Sequence, residues 1–475
     1  MTDYFIKLFN TSKEDIDKVI TAALSSGGDF ADIFFEHTAV NSLVLRDCQV
    51  NAVSSDIDYG VGIRVVKGDK TGYAYSETTE LNDMLRAARF AASIGNWHSA
   101  TDKVHLPSTA TPDRGSHNFY PALQPWSETS VALKKNALML LNERTFSLDS
   151  RVIKLIGYLT DQETHILYAN SLGESFEDFR PLGSLRATVI MQDGERTENF
   201  HASKSFRQGF EFINNALVEN LAEETVKGCS FLFNASQPSP GQTSVVLAAG
   251  GGGILLHEAI GHAFEADFNR KNVSIFSEKM GHRICRPGIN IVDDGTLPGN
   301  RGSLNIDDEG VPAEKTYMVK DGVLNSYLHD RISASFYGVS PTGNGRRESF
   351  RYMPIPRMRA TYMENGDMDE ESIIRSVRKG IYVDSFSNGQ VQIGAGDFTF
   401  FVKSGYLIED GHLTRPVKDC NIIGNGPQAL ADMSAVADNL KMENSTWTCG
   451  KGQHVPVCCG MPTVLINNLN VGGIN

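Results

Sequence analysis

His257-Glu258-Ala259-Ile260-Gly261-His262 contains the residue types that a metal hydrolase needs. Neutral imidazoles can hold a zinc ion, and a carboxylate beside them can take a proton from the water that the ion polarises. In the common H-E-x-x-H arrangement the histidines stand four positions apart on one helix face. Here they stand five apart. On a regular α-helix, five steps turn through about 500° and leave the side chains roughly 140° apart, against about 40° for four steps. A regular helix therefore cannot aim both imidazoles at one ion. A single-turn π-bulge absorbs one extra residue, and a glycine relaxes the backbone at low steric cost. The spacing predicts a bulge or kink between Glu258 and His262, with Gly261 inside it.

A catalytic zinc takes three protein ligands and keeps one position for water. His257 and His262 supply two, and Glu258 is required as the base. Cys449, in Thr446-Trp447-Thr448-Cys449-Gly450-Lys451-Gly452, is the preferred third ligand. A thiolate next to glycine can approach an ion closely, and zinc accepts sulfur. Glu265 and Asp267 just downstream of the motif remain alternatives, as do His454, Cys458 and Cys459.

The elements that must position these residues fall into two parts. Residues 1–235 read as an N-terminal α/β domain with an antiparallel sheet, and 236–475 as a mainly β domain carrying the metal-binding helix, an α+β chain as a whole. In the first part, Thr11-Ser12-Lys13-Glu14 is a capping-box pattern opening a helix. Strands are expected at Ala31 to His37 and Ser42 to Cys48, and a hairpin around Gly68-Asp69. Helices follow over Thr79 to Ala92 and from Ser127 to about Arg144, separated by a proline-containing loop from Pro107 to Pro125. Val152 to Thr160 and Thr164 to Ala169 read as two paired strands, Asp193-Gly194 as a hairpin turn, and Phe210 to Lys227 as a helix.

Asn234 to Gln242 is the linker candidate. Ser244 to Ala249 reads as a short buried strand feeding Gly250-Gly251-Gly252-Gly253 and the motif. Beyond it, helical periodicity is clearest at Glu370 to Arg378. Strands are expected at Tyr317 to Val319, Arg359 to Tyr362, Phe398 to Val402 and Val464 to Ile466, with hairpins at Asp321-Gly322 and Asp410-Gly411.

The chain has 475 residues, enough for two or three domains, and a net charge of −13. That charge disfavours a general nucleic-acid binder and offers no basic patch to anionic lipid. Seven cysteines, odd in number and without a framework spacing, suit reduced thiols in a cytosolic protein. No stretch reaches the roughly 18 apolar residues of a membrane span, and the N-terminus has no secretory pattern. The expected setting is cytoplasmic, with no membrane partner.

Several stretches resemble the TldD/PmbA family of metallopeptidases, in the subunit type that keeps the metal motif. They are His257 to His262, Asp267-Phe268-Asn269-Arg270-Lys271, Arg346-Arg347-Glu348-Ser349-Phe350, Pro354-Ile355-Pro356-Arg357-Met358, Gly396-Asp397-Phe398, Gly405 to Glu409 and Thr448-Cys449-Gly450-Lys451. Gly60 to Val65 fits the family's N-terminal pattern. The resemblance implies zinc held by His257, His262 and Cys449, with Glu258 as catalytic base. It also implies a dimer, of identical or paralogous subunits, that encloses the site and degrades unfolded peptides. The run Ala248 to Gly253 is more glycine-rich than the family pattern, and Cys458-Cys459 stand where small residues are expected. Two rival functions share the same residues: a non-catalytic peptide-binding subunit of the same fold, and a zinc hydrolase of non-peptide amides or esters.

Other residues read more plainly. The glycine run could let an extended substrate pair with an adjacent strand edge, or could simply be a tight turn. Arg346, Arg347 and Arg351 read as ion-paired structural residues ahead of a carboxylate-binding role. Asp307-Asp308-Glu309 reads as a solvated loop, and Asp293-Asp294 as a turn. His282, His329 and His412 have no partner at ligand spacing.

Overall fold

A computed structural model describes residues 2–94, 118–392 and 394–473. The first half is built on one antiparallel sheet of β1 (Phe30–Arg46), β2 (Gln49–Lys67), β3 (Lys70–Ser76), β4 (Val152–Asn170), β5 (Ser175–Asp193) and β6 (Arg196–Phe206), in the order β3-β2-β1-β4-β5-β6. Successive side chains alternate across this sheet. Ile33 and Phe35 of β1 pack with Ile16, Val19 and Ala23 of helix Lys13–Leu24 and with Met84 and Ala88 of helix Leu81–Ile94. Further along, Leu43, Leu155 and Leu185 pack on Leu138 and Leu141 of helix Val131–Leu148 and Leu221 of helix Asn215–Leu232. On the opposite face, Phe34, Tyr168 and Phe176 meet Ile306 and Phe350 of the second half. The two halves thus share a core.

Several boundaries differ from expectation. The segments 31–37 and 42–48, expected as separate strands, fall on one 17-residue strand that ends at Arg46, and 152–160 and 164–169 are one 19-residue strand. The polar residues that look like breaks are cross-strand partners instead. Thr38 Oγ1 lies 3.0 Å from Thr164 Oγ1, Asn41 donates to Asp161 at 2.9 Å, and Lys134 pairs with Asp161 at 2.8 Å. The first long helix is capped by Ser12, which accepts from the Asp15 amide, so the capping residue is one position later than the capping-box pattern suggests. Ser130 rather than Ser127 caps the helix that follows the proline-containing loop. Of that loop, residues 107–117 lie outside the described residues. Phe210–Phe212 form a 3-10 turn, and the helix starts only after Asn214, whose side chain accepts from the Leu217 amide.

In the second half, Lys379–Gln392, Gly241–Leu247, Val464–Gly473, Cys420–Asn425 and Asp397–Glu409 pair in that order. The first also pairs with the last, closing a five-stranded barrel. A second sheet runs Val323–Leu324, Lys315–Lys320, Ile291–Asp294, Ala360–Met363, Cys458–Met461, Lys441–Glu443. Ile254, Leu255, Leu256 and Ile260 of the motif segment bury themselves among apolar side chains of both sheets. No helix among the described residues is long and apolar enough to cross a membrane.

Candidate metal centre

Strand Gly241–Leu247 ends at a turn in which Gly250 takes φ +90°, a left-handed conformation that favours glycine. Gly252 and Gly253 are needed for close packing. A Cβ on Gly253 would stand 2.7 Å from the Gly460 amide nitrogen, and one on Gly252 would stand 2.4 Å from the Met461 methyl. The run is therefore a turn that seats the helix start against strand Cys458–Met461. Strand Gly241–Leu247 lies between two neighbours, so it has no free edge for a peptide.

The segment then passes through three helical forms. Gly253–Leu256 is α-helical, His257–Gly261 is a π-turn, and His262–Phe264 is 3-10. The bulge required by the five-residue spacing is present. Gly261 serves it differently from expectation, because its φ of −58° is ordinary for a helix. Its missing side chain makes room for Met358, whose sulfur would sit 2.1 Å from a Cβ there.

The π-turn brings the His257 and His262 rings to a centroid separation of 5.1 Å at 79°. Cys449 arrives from a short hairpin of Thr448–Gly450 and His454–Pro456. One ligand atom from each of His257, His262 and Cys449 lies within 4.8 Å of the others. All three residues are about 3% exposed. Cys449 Sγ is 3.2 Å from His262 Nε2, while both ring nitrogens of His257 are buried with no partner apart from the Cys449 sulfur. Burial alone would raise the Cys449 thiol, but the two imidazoles pull it well below the usual thiol range. A thiolate and two imidazoles are a donor set that zinc accepts, and leaving imidazole nitrogens unbonded in the interior is costly without such a ligand.

Around the three runs a chain of fixed charges. His262 Nδ1 is 3.0 Å from Glu265 Oε2, and Lys451 Nζ is 3.0 Å from the same oxygen. Burial would raise the Glu265 carboxyl, but Lys451, His262 and Arg357 hold it down at about 2. Lys451 also pairs with Asp267 at 2.7 Å and lies 4.2 Å over the Phe268 ring. Arg357 donates to the Cys449 carbonyl at 2.6 Å and the Gln453 carbonyl at 3.1 Å, fixing the hairpin. Glu265 and Asp267 therefore orient the histidine and the hairpin and stand outside the three-atom group. Sequence reasoning missed this role, although the nearness of Lys451 to Cys449 in the chain was a usable signal.

Glu258 is half-buried on the π-turn, and its charge is among those that raise the buried Cys459 thiol, after burial, Cys458 and Glu443. His454 is exposed and faces Glu348 at 3.5 Å. Cys458 Sγ lies against the Glu443 carbonyl.

Two expectations are overturned nearby. Asp307, Asp308 and Glu309 are buried, at 0%, 2% and 0% exposure, rather than solvated. Arg180 pairs with Asp308 at 2.6 Å, and Arg64 with Glu309 at 2.6 Å. Asp293-Asp294 end the buried strand Ile291–Asp294 rather than forming a turn, and Asp293 pairs with Arg359 at 2.8 Å. Both stretches carry turn-like residues whose cationic partners lie far away in the chain. Arg351 is an ion-paired residue, bound to Asp58 and Glu77. Of the histidines without a partner at ligand spacing, His282 and His412 are exposed. His329 is buried, and burial pushes it down to about 4.

Three family models match: the PmbA/TldA metallopeptidase domain 1 over residues 31–95, its central domain over 124–228 and its C-terminal domain over 240–473. The chain belongs to the PmbA/TldD family of metallopeptidases. A metalloprotease TldD homolog of Haemophilus influenzae is 37% identical over 458 residues, covering 94% of this chain and 93% of the relative. A metalloprotease of Methanothermobacter thermautotrophicus is 32% identical, covering 94% and 96%. Among solved structures, TldE from Thermococcus kodakarensis superposes with a TM-score of 0.74 at 19% identity, covering 97% of this chain and all of that one. A candidate modulator of DNA gyrase from Thermotoga maritima gives 0.78 at 22%, with the same coverage. These two show the shared PmbA/TldD-type fold, and the relatives' names carry metallopeptidase activity at family level.

Proposed function

We propose that this chain is a zinc-dependent peptidase of the H-E-x-x-x-H type acting on unfolded or extended peptides. His257, His262 and Cys449 are its metal ligands, and Glu258 is its general base. The observation that carries the reading is the convergence of three buried ligand atoms, with His257 facing no group but the Cys449 sulfur, in a member of a metallopeptidase family. Zinc bound there would act as a Lewis acid on the scissile carbonyl and make the attacking water more acidic.

The chain's own residues do the rest. Glu258 takes the proton of the attacking water and returns it to the leaving amine. Glu265 holds the His262 ring by Nδ1, which leaves Nε2 free to face the ion. Arg357 fixes the carbonyl of Cys449, so the thiolate is held by its backbone as well as by charge. A cleft of about 680 Å³ opens between the halves beside Gly251, Asp384, Lys403 and Trp447, and offers an extended peptide both apolar and charged walls. We further infer a cytoplasmic dimer, with a second copy or with a paralogous subunit.

A second reading has a specific observation in its favour. Cys449, His262 and Glu265 line up as a thiol, an imidazole and an orienting carboxylate would in nucleophilic catalysis. His257 argues for the metal, since a thiol mechanism needs one imidazole beside Cys449 and two face it. The test is digestion of an unfolded peptide mixture, read by mass spectrometry, by wild type and Glu258→Gln with metal content measured beside it. The expected result is one zinc per chain in both, chelator-sensitive cleavage in the wild type, and a loss of about 10²- to 10⁴-fold in the variant. Full activity in Glu258→Gln with zinc bound would rule out this base. Cleavage without metal would favour the thiol, no zinc would favour a non-catalytic subunit, and zinc without cleavage would favour a non-peptide substrate.

A further inference from the structure

Most of the deeply buried arginines of this protein have carboxylate partners. Arg64 has Asp32 and Glu309, Arg180 has Asp178 and Asp308, Arg331 has Glu174, and Arg359 has Asp293. This is the expected pattern, because an unpaired ion taken into the interior costs several kcal/mol. A small cavity between the halves breaks it. Its volume is about 60 Å³, and Arg180, Arg207, Arg346 and Arg347 line it together with Glu36 and Glu348.

Three of these four guanidinium groups have no carboxylate within ion-pair distance among the described residues. Arg207 is 5% exposed, Arg346 3% and Arg347 5%. Arg346 donates only to the carbonyls of Met358 and Pro456. Arg347 donates to the Asp308 carbonyl and the Tyr73 hydroxyl, and its Nε is unpartnered. Arg207 is barer still. Its Nε has no partner, the Tyr120 ring lies 5.6 Å away, and Asp178 and Asp308 act on it only through space, beyond ion-pair distance. A cation–π contact of that kind is worth about 0.5–2 kcal/mol, less than the burial costs.

The cavity's own acids offset these charges only in part: Asp308 acts on Arg207, Arg346 and Arg347 through space, yet burial still holds Arg207 and Arg346 below the usual guanidinium range. Asp308 is engaged by Arg180 and by the Arg347 amide, and Glu348 by the His454 amide. Burial pushes Glu36 up to about 7, and its oxygens accept from Thr38 and the Phe350 amide. Burial and the neighbouring guanidinium groups push Arg346 down to about 9. The excess is of positive charge, in a space that admits only a compact group.

We propose that this cavity binds a compact oxyanion, a carboxylate or an inorganic oxyanion, through Arg207, Arg346 and Arg347. Planar guanidinium groups suit it, since each can present two parallel N–H donors to such a ligand. The ligand supplies the negative charge that the fold withholds.

The proposal is independent of the peptidase reading, because its test reads binding alone. Sodium acetate and sodium sulfate are titrated calorimetrically into wild type, Arg207→Gln and Glu348→Gln at constant ionic strength. The wild type is expected to bind one anion per chain saturably, and Arg207→Gln about tenfold or more weakly, since a hydrogen bond to a charged group is worth about 1.5–3 kcal/mol. Glu348→Gln, which removes a competing carboxylate, is expected to bind more tightly. Preference for acetate indicates a carboxylate ligand such as a peptide terminus, and preference for sulfate an inorganic one. No saturable binding in the wild type, or equal affinity in Arg207→Gln, overturns the site. Should Arg207→Gln fail to fold, unchanged or weaker binding by Glu348→Gln overturns it instead.

Discussion

Two buried clusters of ionisable side chains lie in the second half of this protein and obey opposite rules. At Asp307-Asp308-Glu309, carboxylate oxygens meet guanidinium or amide donors: Arg64 and the Arg331 amide at Glu309, Arg180 and the Arg347 amide at Asp308, and the amides of Val311 and Gly345 at Asp307. At His257, His262 and Cys449, donor atoms converge on one another, and His257 has no partner among the described residues apart from the Cys449 sulfur. Both clusters are nearly inaccessible to solvent. Burial alone therefore does not mark a functional site, whereas the convergence of ligand-type atoms on one another does. The acidic cluster ties the two halves together, since Arg64 and Arg180 come from the first sheet and their partners from the second half. The converging cluster holds its geometry through neighbours and keeps its own atoms available.

The sharpest way to break this contrast is Cys449→Ala. Removing one of three donors is expected to abolish stoichiometric zinc binding and peptide cleavage together while the fold is kept. Elemental analysis of purified wild type and variant, with circular dichroism as the control, decides it. Zinc at full occupancy without Cys449 would mean that another residue completes the site.

Arg64→Met tests the opposite cluster. It strands Asp32 and one oxygen of Glu309 in the interior. Removing one partner of a buried pair typically costs about 3–5 kcal/mol. A loss of that size in urea unfolding, with zinc content unchanged, is expected. A neutral effect on stability would show that the acidic cluster is not a structural tie.

Glu36 stands between the two cases. It is buried like Asp308 but accepts only from a hydroxyl and an amide, so burial raises it from 4.5 to about 7. A carboxyl whose folded value exceeds its unfolded one binds protons more tightly when folded. Its contribution to stability is therefore full below 4.5 and is lost as pH rises through about 7. The loss is up to about 3 kcal/mol. Glu36→Gln resembles the protonated form and should remove this part of the pH dependence. Comparing unfolding midpoints of the two proteins across that window isolates it from Asp307 and Asp330, which burial also raises, to about 7 and about 6. Parallel curves would mean that Glu36 titrates normally.

Local rules carried the reading of this chain as far as local physics reaches. The five-residue spacing of His257 and His262 demanded a widened turn because helix geometry is fixed over a few residues, and the π-turn is there. Asp193-Gly194, Asp321-Gly322 and Asp410-Gly411 turn their hairpins because their backbone needs are local. The acidic run misled, because the partner of Glu309 is Arg64, 245 residues away, and no local pattern announces it. Thr38 and Asp161 misled in the same way, as polar residues satisfied across strands rather than by solvent. Gly261 is required by Met358, which packs where its side chain would stand, and not by its own backbone.

Glu265 is where the two clusters' rules meet, and it supplies the finest test. It is fully buried and paired through Oε2, as the acidic run is paired, yet a group it pairs with is a member of the converging cluster. If its work is to orient His262 and keep Nε2 facing Cys449, Glu265→Gln should retain the hydrogen bond but lose the charge. Zinc affinity should then fall about 10- to 100-fold while one zinc per chain still binds at saturation. Competition with a chromogenic chelator measures this directly. An unchanged affinity would place Glu265 with the structural acids, as the partner of Lys451 and Arg357 alone. Complete loss of the site would make it a ligand in its own right.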